Sequence, residues 1–246
     1  MVPLNWQLPT PLDAIIFDCD GTLSQIEGID ELAKANGTYD AVKELTAEAM
    51  GKSGLNPELY QKRLDLVVPT EKEVHNLGQK YFNYQTEDTS AVIQLLHRIN
   101  KKIYVISAGL YPAVAIFADL LHIPRQYIFA VNIYFDSKGN FSDYECTSPL
   151  TSANGKRSIV SELKKIHPRV AYIGDGLNDY AVYDLATRFI GYGGVYYREN
   201  IAALCEFYLK KPTMAGLLPL VLTPAECKKL TRVEEVLYQK GLATIT

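Results

Sequence analysis

Three short apolar runs set what this chain can fold into: Ala14-Ile15-Ile16-Phe17, Lys102 to Ile106 (KIYVI) and Val170-Ala171-Tyr172-Ile173. Short continuous apolar runs of this kind suit strands buried on both faces. Helical patterns occur between and beyond them, at Ser90 to Asn100, Pro112 to about Leu121, Gly155 to His167 and Asp179 to Thr187. Strands alternating with helices predict an α/β fold, a parallel sheet with helices on both faces in a three-layer, Rossmann-like core. Asp136-Ser137-Lys138-Gly139-Asn140, between Val131–Phe135 and Phe141–Tyr144, predicts a hairpin turn.

From Thr22 to about Thr86 the spacing is helical only. Asp40 to Met50 places Ala41, Val42, Leu45 and Ala49 on one face. Gly51 and Gly54 end it, Pro57 suits the first turn of the next helix, and Thr70-Glu71-Lys72-Glu73 fits a capping box. An all-helical insertion after the first strand predicts a small second domain at 25–86, with 1–24 and 87–246 forming the core. The tail from Thr223 to Thr246 reads as one or two amphipathic helices.

Composition excludes several classes. Hydrophobic residues make up 48% and charged residues 22%, as in ordinary globular proteins. A net charge of −3 argues against a nucleic-acid partner, which needs a basic face. No run approaches the ~18 apolar residues of a membrane span. The opening MVPLNWQLPTP has no basic region followed by an apolar core, so no signal peptide is expected. Cys19, Cys146, Cys205 and Cys227 show no CxxC or zinc-site spacing, and reduced thiols in a cytoplasmic protein are expected.

In an open parallel sheet, ligands bind beyond the carboxyl ends of the strands. There the first run is followed by Asp18 and Asp20, the second by Ser107-Ala108-Gly109, and the third by Gly174-Asp175-Gly176-Leu177-Asn178-Asp179. Lys156 falls near the start of its helix. Singly, each is an ordinary turn former, cap or surface charge. Together they would bring acids, a hydroxyl, glycine-flanked amides and an ammonium to one rim.

This set resembles the signature of the haloacid-dehalogenase-like phosphohydrolases: DxDGT (Asp18 to Thr22), a Ser after a strand (Ser107), a Lys (Lys156), and GDxxxD (Gly174 to Asp179). From about residue 14 to 200 the chain is most similar to the phosphoserine phosphatases, through EGIDELA, EAMG, the RL of QKRL, VISAGL, GDGLND and FIGYGG. The resemblance places the helical insertion where that family has its cap domain. It implies Asp18 as nucleophile through an aspartyl-phosphate, and Asp20 as general acid and base. It implies Mg²⁺ held by Asp18, the backbone carbonyl of Asp20, and Asp175, with Asp179 holding the water shell or the loop. Ser107, the amide of Ala108 or Gly109, Lys156 and Asn178 would bind phosphate.

The same resemblance gives Glu27 to a substrate amino group, Arg63 to a carboxylate, and Met50 and Gly51 to the substrate pocket. Three features depart from the family: Asn56 stands where a cap Phe is usual, Ala108 where a Gly is usual, and Gly21 where close relatives often have Ser. Losing an aromatic lid would widen or wet the pocket. The expected partner is a small phosphomonoester, for a monomer or homodimer. Phosphoserine comes first as substrate. Another small phosphorylated metabolite, transfer of phosphate to an alcohol, and a non-catalytic phospholigand-binding protein are the alternatives.

Overall fold

Ala14, Ile15, Ile16 and Phe17 are completely buried, as a strand enclosed on both faces must be. The computed structural model describes residues 6–50 and 55–245. In chain order they form β1 (Ala14–Phe17), α1 (Gly28–Ala35), α2 (Tyr39–Met50), α3 (Pro57–Val67), α4 (Glu71–Asn83), α5 (Thr89–Arg98), β2 (Lys102–Leu110), α6 (Tyr111–Leu120), β3 (Ile128–Val131), β4 (Ile133–Phe135) and β5 (Phe141–Tyr144). There follow α7 (Gly155–Ile166), β6 (Val170–Gly174), α8 (Leu177–Tyr180), β7 (Arg188–Tyr192), α9 (Glu199–Leu204), β8 (Phe207–Leu209), α10 (Leu217–Val221), α11 (Pro224–Cys227) and α12 (Arg232–Ile245).

The α/β fold is as expected. Six parallel strands run in the order β3-β2-β1-β6-β7-β8. Phe17, the last residue of β1, pairs with Val105 of β2 and Ile173 of β6. The chain therefore leaves the sheet at Asp18 between its two neighbouring strands.

Local structure departs from the sequence reading in three places. Strand β2 continues past Ile106 to Leu110, with a register shift against β3 between those residues. A bulge of this kind redirects side chains and amides at a sheet rim, and this one carries Ser107, Ala108 and Gly109. The run Val131–Phe135 divides at Asn132 into β3 in the main sheet and β4 in a hairpin with β5. The Asn132 side chain holds that corner by donating to Glu145 Oε2 at 2.8 Å. The helix expected at Asp179–Thr187 is only α8, followed by tight turns such as Val182 N to Asp179 O at 3.0 Å. This spacing stacks Tyr180 on Tyr183, with centroids 5.1 Å apart, and sets both against Phe189.

Helices α1 to α4 leave and re-enter the fold through two adjacent segments. Gln25 N donates to Tyr84 O at 2.8 Å, Thr86 N to Leu23 O at 2.9 Å, and the Thr86 hydroxyl to Thr22 O at 2.6 Å. Thr70 and Glu73 form the expected capping box of α4. Gly78 lets α4 lie directly on α6: a Cβ there would meet Ile116 Cβ at 2.6 Å and Ala113 O at 2.9 Å. At the other end of the chain, Lys240 of α12 pairs with both Glu87 and Asp88 at 2.6 Å, tying the tail to the start of α5. Among the described residues, no helix is long and apolar enough to cross a membrane.

Candidate active site

The rim of the sheet gathers most of the residues singled out from the sequence. Asp18, Asp20, Glu27, Arg63, Ala108, Gly109, Lys156 and Asn178 line one cleft, with an empty volume of ≈ 680 Å³ counted out to its mouth. Asp18 and Asp175 lie with Asp179 in a buried group whose carboxylate oxygens fall within 4.8 Å of one another. Gly21 makes this approach possible. Its φ of +68° is left-handed, and a Cβ would stand 2.8 Å from Asp175 Oδ2. The side chain of Met50 and the whole of Gly51 lie outside the described residues.

Three buried acids require a buried cation, and Lys156 supplies it. Its Nζ lies 2.6 Å from Asp18 Oδ1 and 2.6 Å from Asp179 Oδ1. Burial alone would push this ammonium down, but Asp179 and Asp18 together hold it above the ordinary lysine value. Asp179 is fully committed to protein donors. Oδ1 also accepts from the Tyr172 hydroxyl at 2.7 Å, and Oδ2 accepts from Gly176 N at 3.0 Å. That arrangement makes it an anchor for the loop after β6. Asp18 is different: burial, then the neighbouring Asp179, pushes its carboxyl well above the usual range, against the pull of Lys156.

Asp20 sits across the cleft. Its Oδ1 accepts from Gly28 N at 2.6 Å and from the Tyr81 hydroxyl at 2.7 Å, and its Oδ2 from the Ser107 hydroxyl at 3.2 Å. Gly109 N in turn donates to Ser107 Oγ at 2.9 Å. Cys19, between the two acids, is completely buried in the core, where burial raises its thiol well above the ordinary value. It packs; it does not face the cleft.

Glu27 and Arg63 enter from the helical insertion, and both are over nine-tenths buried. Neither Glu27 Oε1 nor Arg63 Nε has a hydrogen-bond partner. No ion pair joins the two among the described residues. Burial, followed by Asp20, Asp175 and Asp18, pushes the Glu27 carboxyl well above its usual range. Asn56 caps α3, accepting from Leu59 N at 2.9 Å, so it does not replace an aromatic lid. Leu55 and Tyr60 line the cleft instead, and the pocket keeps an aromatic wall.

A family model described as haloacid dehalogenase-like hydrolase matches residues 12–182. The chain belongs to this hydrolase family. Phosphoserine phosphatase of Bos taurus is 33% identical over 199 residues, 80% of this chain and 88% of that protein. The chloroplastic phosphoserine phosphatase of Arabidopsis thaliana is 34% identical over 204 residues, 81% of this chain and 69% of that one. A solved structure of a phosphoserine phosphohydrolase-like protein from Francisella tularensis superposes with a TM-score of 0.73 at 29% identity, covering 81% of this chain and 96% of that one.

The hydrolase also recruits residues the motif pattern does not contain. Arg198 donates to Asp175 Oδ2 through Nη2 at 2.9 Å and Nε at 3.3 Å, and Tyr196 leans on the Gly21 turn. Both follow β7, a strand that the sequence reading did not identify. Tyr81 reaches Asp20 from α4, and Tyr172 reaches Asp179 from within β6.

The residues present fit a magnesium ion. Lys156 takes one oxygen of Asp18 and Arg198 one oxygen of Asp175, which leaves each acid a second, hard oxygen donor of the kind Mg²⁺ prefers. Burial pushes Asp175 up to about 6, against the opposing pull of Arg198. A carboxyl raised in the fold stabilises it most when protonated, and that contribution is lost as pH rises through about 6. Below that pH a cation must displace a proton. The rise in melting temperature on adding Mg²⁺ is therefore expected to be larger at about pH 7.5 than at about pH 5. Thermal melts across a magnesium titration at both pH values check this; equal shifts would remove Asp175 as a ligand.

Proposed function

We propose that this hydrolase cleaves O-phospho-L-serine to L-serine and phosphate, the closing step of serine synthesis. One observation carries the choice of substrate: Glu27 and Arg63, which line the cleft that holds Asp18, have a buried carboxylate oxygen and a buried guanidinium nitrogen without a partner. Buried polar atoms left without a partner are costly, so the pair calls for a ligand that offers a donor to Glu27 and an acceptor to Arg63. An amino acid supplies an ammonium for Glu27 and a carboxylate for Arg63. The names of the relatives from Bos taurus and Arabidopsis thaliana point to the same substrate.

In this reading α1 to α4, within 25–86, form a cap that brings Glu27 and Arg63 over a core of 1–24 and 87–246. Asp18 attacks phosphorus, forming an acyl phosphate as the bond to the serine oxygen breaks. Asp20 protonates that oxygen as it leaves. It then takes a proton from the water that attacks the phosphorylated Asp18. Lys156 offsets charge on the nucleophile and the transferring group, and Ser107 with the Gly109 amide donates to phosphate oxygens. Asn178 lies at the rim for the same group. Magnesium, held by Asp18, Asp175 and the Asp20 carbonyl, would supply Lewis-acid neutralisation of the phosphoryl oxygens. Four free cysteines fit a reducing compartment, the cytoplasm.

The test is release of phosphate from a panel of small phosphomonoesters, with Mg²⁺ and with a chelator. Phosphoserine should show the highest kcat/KM, and the chelator should abolish turnover. A substrate lacking either the amino or the carboxylate group that is turned over equally well would defeat the assignment.

A further inference from the structure

Tyr60 is the only cleft-lining side chain of α3 that hydrogen-bonds the core backbone among the described residues. Its hydroxyl donates to the carbonyl oxygen of Ala108 at 3.0 Å. The residue is 4% exposed, and its ring packs on Tyr144 of β5 with centroids 5.3 Å apart. On its other side the Arg63 guanidinium lies 5.6 Å from the ring centre. Tyr60 thus joins the helical insertion, the hairpin and the bulged end of β2.

The Ala108 carbonyl shares a peptide plane with the Gly109 amide. In a trans peptide the C=O and N–H point in opposite directions, and no peptide bond among the described residues is cis. Holding the carbonyl towards α3 therefore turns the Gly109 N–H the other way, where it meets Ser107 Oγ at 2.9 Å. Two side chains hold that peptide, Tyr60 at its carbonyl and Ser107 at its amide. Gly109 has no Cβ, and one would stand 3.0 Å from both Asp20 Oδ2 and Ser107 Oγ.

We propose that Tyr60 is a positioning residue: its hydroxyl fixes the Ala108–Gly109 peptide so that the Gly109 amide holds Ser107, the hydroxyl assigned to the transferring phosphoryl group, and so makes seating of the helical insertion and alignment of these phosphate donors one event. The inference rests on the assignment of Ser107 and the Gly109 amide to the phosphate group, made above. It does not depend on phosphoserine as the substrate. The hydroxyl acts on any phosphomonoester, whereas the ring, by supporting Arg63, acts only on substrates with a carboxylate.

The test compares wild type, Tyr60→Phe and Tyr60→Leu with Mg²⁺ on p-nitrophenyl phosphate, which has neither amino nor carboxylate group. Inhibition by orthovanadate, a mimic of the transferring group, is measured alongside. Losing the hydroxyl of Tyr60→Phe should lower kcat/KM about 3- to 10-fold, the worth of one hydrogen bond, and weaken orthovanadate by a similar factor. Tyr60→Leu should do at least as much, and should raise KM for phosphoserine beyond the change seen in Tyr60→Phe. Wild-type values for Tyr60→Phe on both p-nitrophenyl phosphate and orthovanadate would overturn the proposal. A wild type active on p-nitrophenyl phosphate but not on phosphoserine would fail the substrate reading alone, leaving this comparison decisive.

Discussion

Asp18→Asn is expected to lower kcat by at least ~10⁴-fold, the scale of losing a covalent nucleophile, while the protein remains folded. Asparagine keeps the shape of the side chain but cannot attack phosphorus. The fold should tolerate the change because Asp18 is costly where it stands. Burial, then Asp179, pushes its carboxyl well above the free value. The stability this acid contributes is thus present at low pH, when it is protonated, and is lost as pH rises through its folded value. At neutral pH the variant removes one buried negative charge, and Lys156 keeps Asp179 at 2.6 Å as a counter-ion. The melting temperature without metal should match or exceed that of wild type, and its rise on adding Mg²⁺ should shrink. Steady-state assays and melts with and without the ion measure all three. Retention of more than ~1% of wild-type kcat would point to another nucleophile.

The core of the fold was legible because its central strands are wholly apolar and end in acids or glycines. Ala14–Phe17 and Val170–Ile173 can be read directly, and their carboxyl ends locate Asp18 and Asp175. Strands β7 and β8 were not legible. Phe207–Leu209 is three residues long, too short for a periodicity, and Arg188–Tyr192 opens on a cation and contains Gly191. Missing β7 meant missing the segment it delivers, which is why Arg198 and Tyr196 escaped notice. Tyr60, Tyr81 and Tyr172 were hidden for another reason. In sequence each is an aromatic residue on a buried face, and only packing shows that its hydroxyl ends on Ala108, Asp20 or Asp179. Asn56 carries the same lesson. Alignment with an aromatic position suggested a lost lid, but its side-chain oxygen is used as a helix cap, and Tyr60, one turn on, forms the wall.

Arg63→Ala should raise KM for phosphoserine by roughly 10- to 100-fold, the range for a hydrogen bond to a charged group, with a much smaller change for p-nitrophenyl phosphate. The asymmetry follows from position. Arg63 sits in α3, above the acids of the rim, and its Nε has no protein partner. Its guanidinium lies 5.6 Å from the centre of the Tyr60 ring, which cannot take the place of an anion. Burial lowers its pKa, countered by Tyr60, Glu27 and Asp30, yet a guanidinium remains charged at any physiological pH. A carboxylate ligand would give Nε the partner it lacks, whereas an ester without one gains nothing from Arg63. Glu27→Gln should act in the same direction through the substrate ammonium, and the effects of the two substitutions should not simply add, because both report on one bound zwitterion. Steady-state kinetics on both esters separate the outcomes. Equal losses on phosphoserine and p-nitrophenyl phosphate would mean that Arg63 supports the fold or the phosphate loop and does not read the amino acid.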